Sequence, residues 1–223
     1  MTTISENITR INKELEDSSA RLVVVTKTHP VAKLREAYDA GARLFGENRV
    51  QEMVAKQPEL PADIEWHLIG HLQTNKAKQI APFVHTVQSI DSPRLLRELN
   101  KQAARHDRVI NGLLQFHIAD EENKTGLTLP EAEEMLAADD FADIQNVRLT
   151  GVMGVATFTD DEAQLRREFG TLRGYFEQLK ARFFADDAAF REISMGMSGD
   201  YPLAVQEGST LVRVGSAIFG ARG

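Results

Sequence analysis

The sequence contains no cysteine, which excludes disulfide bonds, thiolate catalysis and cysteine-ligated metal sites. It has no apolar run of membrane-spanning length, and its first residues lack the basic and apolar segments of a secretory signal, so we expect a cytoplasmic protein. It also lacks an excess of basic charge, because 26 Lys and Arg stand against 33 Asp and Glu, a net charge of −7. Without an electrostatic footprint for nucleic acid or an anionic membrane, a small molecule is the expected ligand.

No Gly/Ser-rich or Pro-rich linker divides the chain, so residues 1–223 are expected to form one domain. Short apolar runs alternate with amphipathic stretches, which is the pattern of βα units. The predicted strands are residues 22–27, 43–47, 65–70, 86–91, 112–119, 148–156, 192–197 and 211–219. Eight strands separated by helices predict an α/β fold, a single (β/α)8 TIM barrel. A doubly wound open sheet gives similar periodicity, but the count of eight favours closure, and the first βα turn lacks a G-x-G-x-x-G dinucleotide fingerprint.

Capping residues mark where several helices begin. Thr3 with Glu6 forms a capping box for an extra N-terminal helix ahead of the first strand, and Thr128 with Glu131 repeats this signature. Ser92, followed by a proline, is a further N-cap. The longest helix, about residues 160–184, carries an apolar stripe that we interpret as a core face, at Leu165, Phe169, Leu172, Phe176, Leu179 and Phe183.

A lysine follows the first predicted strand. Lys27 closes the run Leu22-Val23-Val24-Val25-Thr26, which is typical of a buried parallel strand. In a barrel, the carboxyl end of such a strand faces the active site. A partly desolvated lysine at that position condenses with an aldehyde to form a Schiff base. By itself the segment favours an ordinary surface lysine, so the interpretation depends on the rest of the chain.

Small residues beside hydroxyls follow the seventh and eighth strands, in Met197-Ser198-Gly199-Asp200 and Arg213-Val214-Gly215-Ser216. Phosphate sites in these barrels commonly form from the loops after strands seven and eight. Glycine lets backbone N–H groups approach an oxyanion, and Ser198 and Ser216 each add a hydroxyl. Each motif is weak alone, but together they predict a phosphate cup, where Arg213 either holds the phosphate or faces a pyridine nitrogen. A phosphate cup opposite a strand-end lysine points to pyridoxal 5′-phosphate (PLP).

Five longer motifs resemble the pyridoxal phosphate homeostasis protein family, in order and over nearly the whole chain. They are Thr26-Lys27-Thr28; Phe45-Gly46-Glu47-Asn48 followed by Val50-Gln51-Glu52; Trp66-His67-Leu68-Ile69-Gly70-His71-Leu72-Gln73-Thr74-Asn75-Lys76; Ser194-Met195-Gly196-Met197-Ser198; and Gly208-Ser209-Thr210-Leu211-Val212-Arg213-Val214-Gly215-Ser216-Ala217-Ile218-Phe219-Gly220.

The resemblance implies a fold-type III PLP barrel, related to the amino-terminal domain of alanine racemase, with PLP held as a Schiff base on Lys27. It implies a role in intracellular PLP (vitamin B6) homeostasis and amino-acid balance, without dedicated catalytic activity or catalytic residues. It implies a monomer whose candidate partners are apo PLP-dependent enzymes. The implied cofactor-binding residues are Lys27, Asn48, Met197, Ser198, Gly199, Arg213, Gly215 and Ser216.

Three further positions bear on how the cofactor would be exchanged. Lys124 matches a lysine near the cavity mouth, which is either a secondary cofactor contact or a solvated loop residue. Arg49 stands where many relatives have tyrosine, and His29 stands where lysine is frequent. These two departures put only the details of exchange in doubt.

The alternative function is an enzyme, either a small fold-type III amino-acid racemase or a Schiff-base aldolase. A two-base racemase needs a second acid/base group across the cofactor, but Tyr38 and Tyr175 fall on outer helices and Tyr201 beside the phosphate loop. An aldolase lysine is expected on a later strand, and no lysine ends strand six. His67 and His71 lack the intervening Glu of a helical H-E-x-x-H motif, so no metal site is predicted.

Overall fold

Eight parallel strands close into a barrel in which each strand pairs with its neighbour in the sequence. The computed structural model describes residues 2–120 and 125–220. Pairing of the first strand with the eighth, from Arg21 opposite Leu211 to Val24 opposite Val214, completes the closure. The strands are β1 (Arg21–Val25), β2 (Leu44–Glu47), β3 (Glu65–Leu68), β4 (Thr86–Ile90), β5 (Ile110–Phe116), β6 (Val147–Gly154), β7 (Glu192–Ser194) and β8 (Leu211–Val214). The barrel is confirmed, and the open sheet is excluded.

Helices surround the barrel, and the predicted N-terminal helix precedes β1. Within the described ranges the α-helices are α1 (Ile4–Leu15), α2 (Val31–Asp39), α3 (Val50–Lys56), α4 (Ala77–Ile80), α5 (Pro93–Ala104), α6 (Leu129–Ala137), α7 (Glu162–Phe183), α8 (Tyr201–Gln206) and α9 (Ser216–Phe219). Short 3-10 helices cover Gln57–Glu59, Thr74–Lys76 and Asp139–Asp143. No helix among the described residues is both long and apolar enough to cross a membrane.

The predicted helix starts are confirmed by their hydrogen bonds. Thr3 Oγ1 accepts from the Glu6 N–H at 3.2 Å, while the Glu6 carboxylate accepts from the Thr3 N–H at 2.7 Å. Thr128 and Glu131 form the same capping box at α6, and Ser92 caps α5. The apolar stripe of α7 is a core face as predicted, with four members buried and Phe176 and Phe183 packed partly buried against the core.

The eighth predicted strand was too long. It was expected over residues 211–219, but β8 ends at Val214 and Ser216–Phe219 forms α9. The apolar residues Ala217 and Ile218 resemble a strand in sequence, yet they pack on the core as a helical turn, where Asn7 Nδ2 of α1 donates to the Ile218 carbonyl at 2.9 Å. Other strands also end before their predicted carboxyl ends, so the candidate site residues lie mainly in the βα loops.

The inside of the barrel holds an apolar cluster and a set of buried polar side chains. Val23, Leu113, Met153 and Leu211 form an apolar cluster separate from the core beneath the helices. The buried polar side chains on the strands include His67, Gln88, Ser194 and Arg213. Because side chains alternate along a strand, residues two apart share a face, which brings Leu211 and Arg213 of β8 to the interior.

Candidate functional site

One cavity at the carboxyl ends of the strands brings together eight of the residues that the sequence analysis named for a cofactor. It has a volume of about 490 Å³. Its lining includes the eight candidates Lys27, Asn48, Met197, Ser198, Gly199, Arg213, Gly215 and Ser216. They come from loops after β1, β2, β7 and β8 and from β8 itself, so the closed barrel brings together positions up to 189 residues apart. Lys124, the remaining candidate, lies outside the described residues.

Lys27 sits in a turn just after β1 and is half-buried. The following residue, Thr28, has φ +68°, a left-handed conformation that is unfavourable for a β-branched side chain. The Thr28 N–H donates to the Glu52 carboxylate at 2.7 Å, and the Thr26 N–H donates to the Gly46 carbonyl at 2.9 Å. The backbone is therefore held on both sides of Lys27.

A buried ion pair lies behind this turn. Lys56 Nζ donates to Glu47 Oε1 at 2.7 Å, to the Thr26 carbonyl at 3.0 Å and to Glu52 at 3.3 Å. Glu47 is fully buried, and its Oε1 also accepts from Thr26 Oγ1 at 2.6 Å. Burial raises the pKa of the Glu47 carboxyl against the opposing hydrogen bonds from Lys56 and Thr26. The pair fixes α3 against the turn that carries Lys27.

Hydrogen bonds join the two small-residue loops. Ser198 Oγ accepts from the N–H groups of Gly215 at 3.2 Å and Ala217 at 3.3 Å. Within the first loop the Asp200 carboxylate accepts from the Met197 N–H, and burial raises the pKa of Asp200 although this bond lowers it. A Cβ built on Gly199 meets no atom within 4 Å, so the backbone there is open to a ligand.

Arg213 is buried beneath the cavity, with 5% of its surface exposed. Its Nη1 donates to Ser194 Oγ at 2.6 Å and its Nη2 donates to the Gly154 carbonyl at 2.8 Å. Burial lowers the pKa of its guanidinium to about 10, while the Asp200 charge raises it, so Arg213 remains cationic at neutral pH. The side chain therefore points into the barrel.

A hydrogen-bonded row continues from Arg213 through the barrel interior. Ser194 Oγ donates to Gln88 Oε1 at 2.6 Å, and Gln88 Nε2 lies 2.8 Å from His67 Nδ1. All four side chains are buried. We call Arg213, Ser194, Gln88 and His67 the interior relay. It runs from the cavity at the carboxyl ends of the strands to His67 on β3.

The histidines and tyrosines discussed above lie elsewhere. His71 is exposed and its Nδ1 lies 3.1 Å from Asp91 Oδ2, whereas His67 is inside the barrel, so the structure does not bring these two histidines together. Tyr38 Oη donates to Asp63 at 2.8 Å, Tyr175 packs against Phe116, and Tyr201 donates to Glu14 on α1. Among the described residues, no tyrosine lines the cavity that contains Lys27.

Sequence reasoning missed several residues of this site. Lys56 and Glu52 were not singled out, although four residues apart on one helix they share a face. The loop after β6 adds Phe158, which is 96% exposed, and Asp160 to the cavity lining. Thr157 anchors that loop, because its N–H and hydroxyl donate to the Glu168 carboxylate of α7 at 2.6 and 2.7 Å.

The fold and the cavity define a class of protein: a (β/α)8 barrel whose ligand cavity combines a strand-end lysine with two serine- and glycine-bearing loops. The family model of the alanine racemase N-terminal domain matches residues 1–223. The chain is 37% identical to the pyridoxal phosphate homeostasis protein of Pasteurella multocida (strain Pm70), over 99% of this chain and 98% of that protein. The chain therefore belongs to the pyridoxal phosphate homeostasis protein family, as the motifs indicated.

Solved structures agree with this assignment. PipY of Synechococcus elongatus PCC7942, solved without PLP, superposes with a TM-score of 0.90 at 37% identity and covers 98% of this chain and 100% of PipY. The structure of PipY with PLP bound has a TM-score of 0.87 at 36% identity. Alanine racemase from Bartonella henselae shares the fold alone, with a TM-score of 0.75, 14% identity and coverage of 97% of this chain and 60% of that enzyme.

Proposed function

We propose that this protein binds PLP through Lys27 and acts in intracellular PLP homeostasis, without a dedicated catalytic activity. The observation that carries the proposal is the single cavity that unites Lys27, both small-residue loops and Arg213. The names of the full-length relatives and the PLP-bound structure of PipY support it. When bound, PLP supplies an aldehyde that links covalently to an amine and a conjugated ring that withdraws electrons.

The residues fit the chemical parts of this cofactor. Ser198, Gly199, Gly215 and Ser216 offer hydroxyls and backbone N–H groups for a phosphate, and Gly199 leaves open space beside its backbone. Arg213 contributes a cation below them, suited to an electronegative atom of the ring or to the phosphate. Asn48 and Met197 line the same cavity and are proposed to flank the ring.

A carrier fits the cavity better than a racemase or an aldolase. The tyrosines at 38, 175 and 201 are committed to partners outside the cavity, so none is placed to act as a second acid/base group. The Asp200 carboxylate is bound to the backbone of its own loop. The end of β6 contributes Val155 and Thr157 to the lining, not a lysine. Asp160 is the acid to test for the racemase alternative, because Asp160→Asn would abolish any exchange of an amino-acid α-hydrogen that it catalyses.

The first experiment is an absorbance spectrum of the purified protein, before and after borohydride, with peptide mapping. We expect a visible band that borohydride abolishes and a stable pyridoxyl adduct on Lys27. Lys27→Ala should remove the band while the far-ultraviolet circular dichroism is unchanged, and Lys78→Ala, at an exposed lysine of α4, is the matched control. A band that persists in Lys27→Ala, or no band after PLP is added, would overturn the proposal.

A second experiment tests the loops. Ser216→Ala removes an exposed hydroxyl, whereas Ser198→Ala also removes the hydrogen bonds that Ser198 Oγ accepts from Gly215 and Ala217. Ser216→Ala is expected to weaken PLP retention on dialysis. The double variant, Ser198→Ala with Ser216→Ala, should weaken it further. In both variants, PLP at saturating concentration should still react with Lys27. Unchanged retention in the double variant would count against the phosphate cup.

The cellular setting follows from the same proposal. We propose a cytoplasmic, single-domain monomer that exchanges PLP with apo PLP-dependent enzymes. Light scattering during size exclusion measures the oligomeric state. Transfer is tested by mixing the loaded protein with an apo-enzyme in the presence of a scavenger of free PLP. Activation that the scavenger abolishes would indicate buffering of free PLP instead of direct delivery.

A further inference from the structure

A cluster of metal-binding side chains lies at the opposite end of the barrel from Lys27. Glu65 begins β3, His67 is two residues further along, and His85 immediately precedes β4. Each offers one ligand atom, and these atoms lie within 4.8 Å of one another. They line a second cavity of about 500 Å³, formed where β1, β3, β4, β7 and β8 begin.

His67 carries an unsatisfied polar atom into this cluster. The ring is 3% exposed, and its Nε2 has no hydrogen-bond partner among residues 2–120 and 125–220. In the relay, Arg213 donates to Ser194 Oγ, Ser194 donates to Gln88 Oε1, and Gln88 Nε2 then faces His67 Nδ1 as a donor. In this arrangement neutral His67 bears its proton on Nε2, where a buried donor without an acceptor costs about 1–3 kcal/mol. A metal ion that replaces this proton would remove the penalty.

The surroundings select the class of ligand. His67 Nδ1 lies 2.8 Å from Gln88 Nε2, which is a hydrogen-bond donor, so the ring is neutral and able to coordinate a metal. The cavity also holds Arg21, Arg148 and Arg191 against the carboxylates of Glu65 and Glu192, and Arg21 pairs with Glu192 at 2.7 Å. Because Glu192 pairs with Arg21, the cluster offers one carboxylate, which is too few for Ca²⁺ or Mg²⁺, since these ions depend on several oxygen ligands. Two imidazoles and one carboxylate are a ligand set for Zn²⁺.

We propose that Glu65, His67 and His85 form a binding site for a divalent transition metal of the Zn²⁺ class, with a fourth position open to the cavity. Zinc bonds of about 2.1 Å in a tetrahedron place neighbouring ligand atoms about 3.4 Å apart, so the cluster must contract. The side chains of Glu65 and His85 are 39% and 42% exposed, and Glu65 Oε2 lies 3.7 Å from His85 Nδ1. Both can therefore move towards the fixed ring of His67.

Binding also requires a change in the interior relay. Coordination by His67 Nε2 moves the ring proton to Nδ1, so Gln88 must turn its amide and accept from Nδ1–H through Oε1. Metal-bound histidines usually donate their second N–H in this way. The turned amide then donates to Ser194 Oγ, which already accepts from Arg213. This rearrangement gives the site a signature that nonspecific metal binding lacks.

The test is calorimetric titration of Zn²⁺ into tag-free, EDTA-treated protein of constant PLP content. We expect one site per chain for Zn²⁺ and none for Ca²⁺ or Mg²⁺. His85→Gln and Glu65→Gln, both at half-exposed side chains, should each weaken binding at least about tenfold. His106→Gln, at an exposed histidine outside the cluster, is the matched control and should leave the affinity unchanged.

Long-range ¹H–¹⁵N spectra of the histidine rings provide the second readout. Without metal, the His67 proton should be on Nε2, and saturating Zn²⁺ should move it to Nδ1. Equal Zn²⁺ affinity in His85→Gln and His106→Gln would overturn the proposal, as would a His67 ring whose proton stays on Nε2 at saturation. Failure to bind Zn²⁺ at all would overturn it as well, and would leave PLP binding at the other end of the barrel unaffected.

Discussion

Replacing Lys56 by methionine should destabilise the protein strongly, because it leaves a buried charge without its partner. Lys56→Met keeps the aliphatic stem but removes three hydrogen bonds, including the one to Glu47 Oε1. The Glu47 carboxyl, fully buried, would retain only the bond from Thr26 Oγ1. Breaking such a pair costs about 3–5 kcal/mol. At about 2–4 °C per kcal/mol for a domain of this size, Tm should fall by about 6–20 °C.

The loss should depend on pH. Burial already raises the pKa of Glu47, and without Lys56 it would rise further above the value in the unfolded chain. A carboxyl whose native pKa is raised loses stabilisation as pH rises from the unfolded value, about 4.3, through the native one. The stability deficit of Lys56→Met should therefore be larger at pH 7 than at pH 5, because the fraction of Glu47 that is protonated, and so needs no cation, grows as the pH falls.

Equilibrium urea denaturation, followed by circular dichroism at both pH values, measures these differences. Lys101→Met, at an exposed lysine of α5, is the control and should change stability by less than about 0.5 kcal/mol. Adding Glu47→Gln to Lys56→Met removes the stranded charge and should restore part of the stability. A loss below about 1 kcal/mol in Lys56→Met, or a double variant no more stable than the single one, would refute the reasoning.

Three further substitutions test local features. Thr28→Gly relieves a left-handed φ of +68° and should stabilise the fold by up to about 1 kcal/mol, measured as Tm; a lower Tm would show that the threonine is not strained. Gly151→Ala, whose Cβ would lie 1.8 Å from the Glu192 carbonyl oxygen, should cost at least about 3 kcal/mol in urea denaturation, and near-wild-type stability would contradict the close packing of β6 on β7. Thr128→Ala should cost about 0.5–2 kcal/mol through the α6 cap, with PLP retention unchanged, and a loss of retention would contradict its purely capping role.

The fold was predictable from the sequence where a strand is a short apolar run with a turn signal after it, as β1 is. Val23, Val24 and Val25 are consecutive and all buried, so this strand was recognisable without knowledge of its neighbours. The same reasoning failed after Val214, where Ala217 and Ile218 are equally apolar but pack as a helix. Apolar composition alone does not distinguish the two states over four residues.

The candidate site was predictable where its residues lie in loops that follow strands, as Lys27 and Ser198 do. The contacts that support it were not predictable, because they depend on three-dimensional placement. Gln88 and Ser194 are 106 residues apart and meet only because both face the interior of a closed barrel. Glu65 and His85 were unremarkable in the sequence: Glu65 lies two residues before His67 on the same face of β3, and the pairing of β3 with β4 brings His85 to them.

The interior relay has a consequence for proton movement through the barrel. A hydroxyl or an imidazole can accept a proton on one side and release another on the opposite side, but the neutral amide of Gln88 has separate donor and acceptor atoms. Gln88 separates Ser194 from His67, so it acts as an insulator for protons while still passing on orientation. A proton taken up at His67 therefore cannot pass along this row to Ser194, although a turn of the Gln88 amide can reorient the Ser194 hydroxyl. The row thus couples the orientation of its side chains without conducting protons.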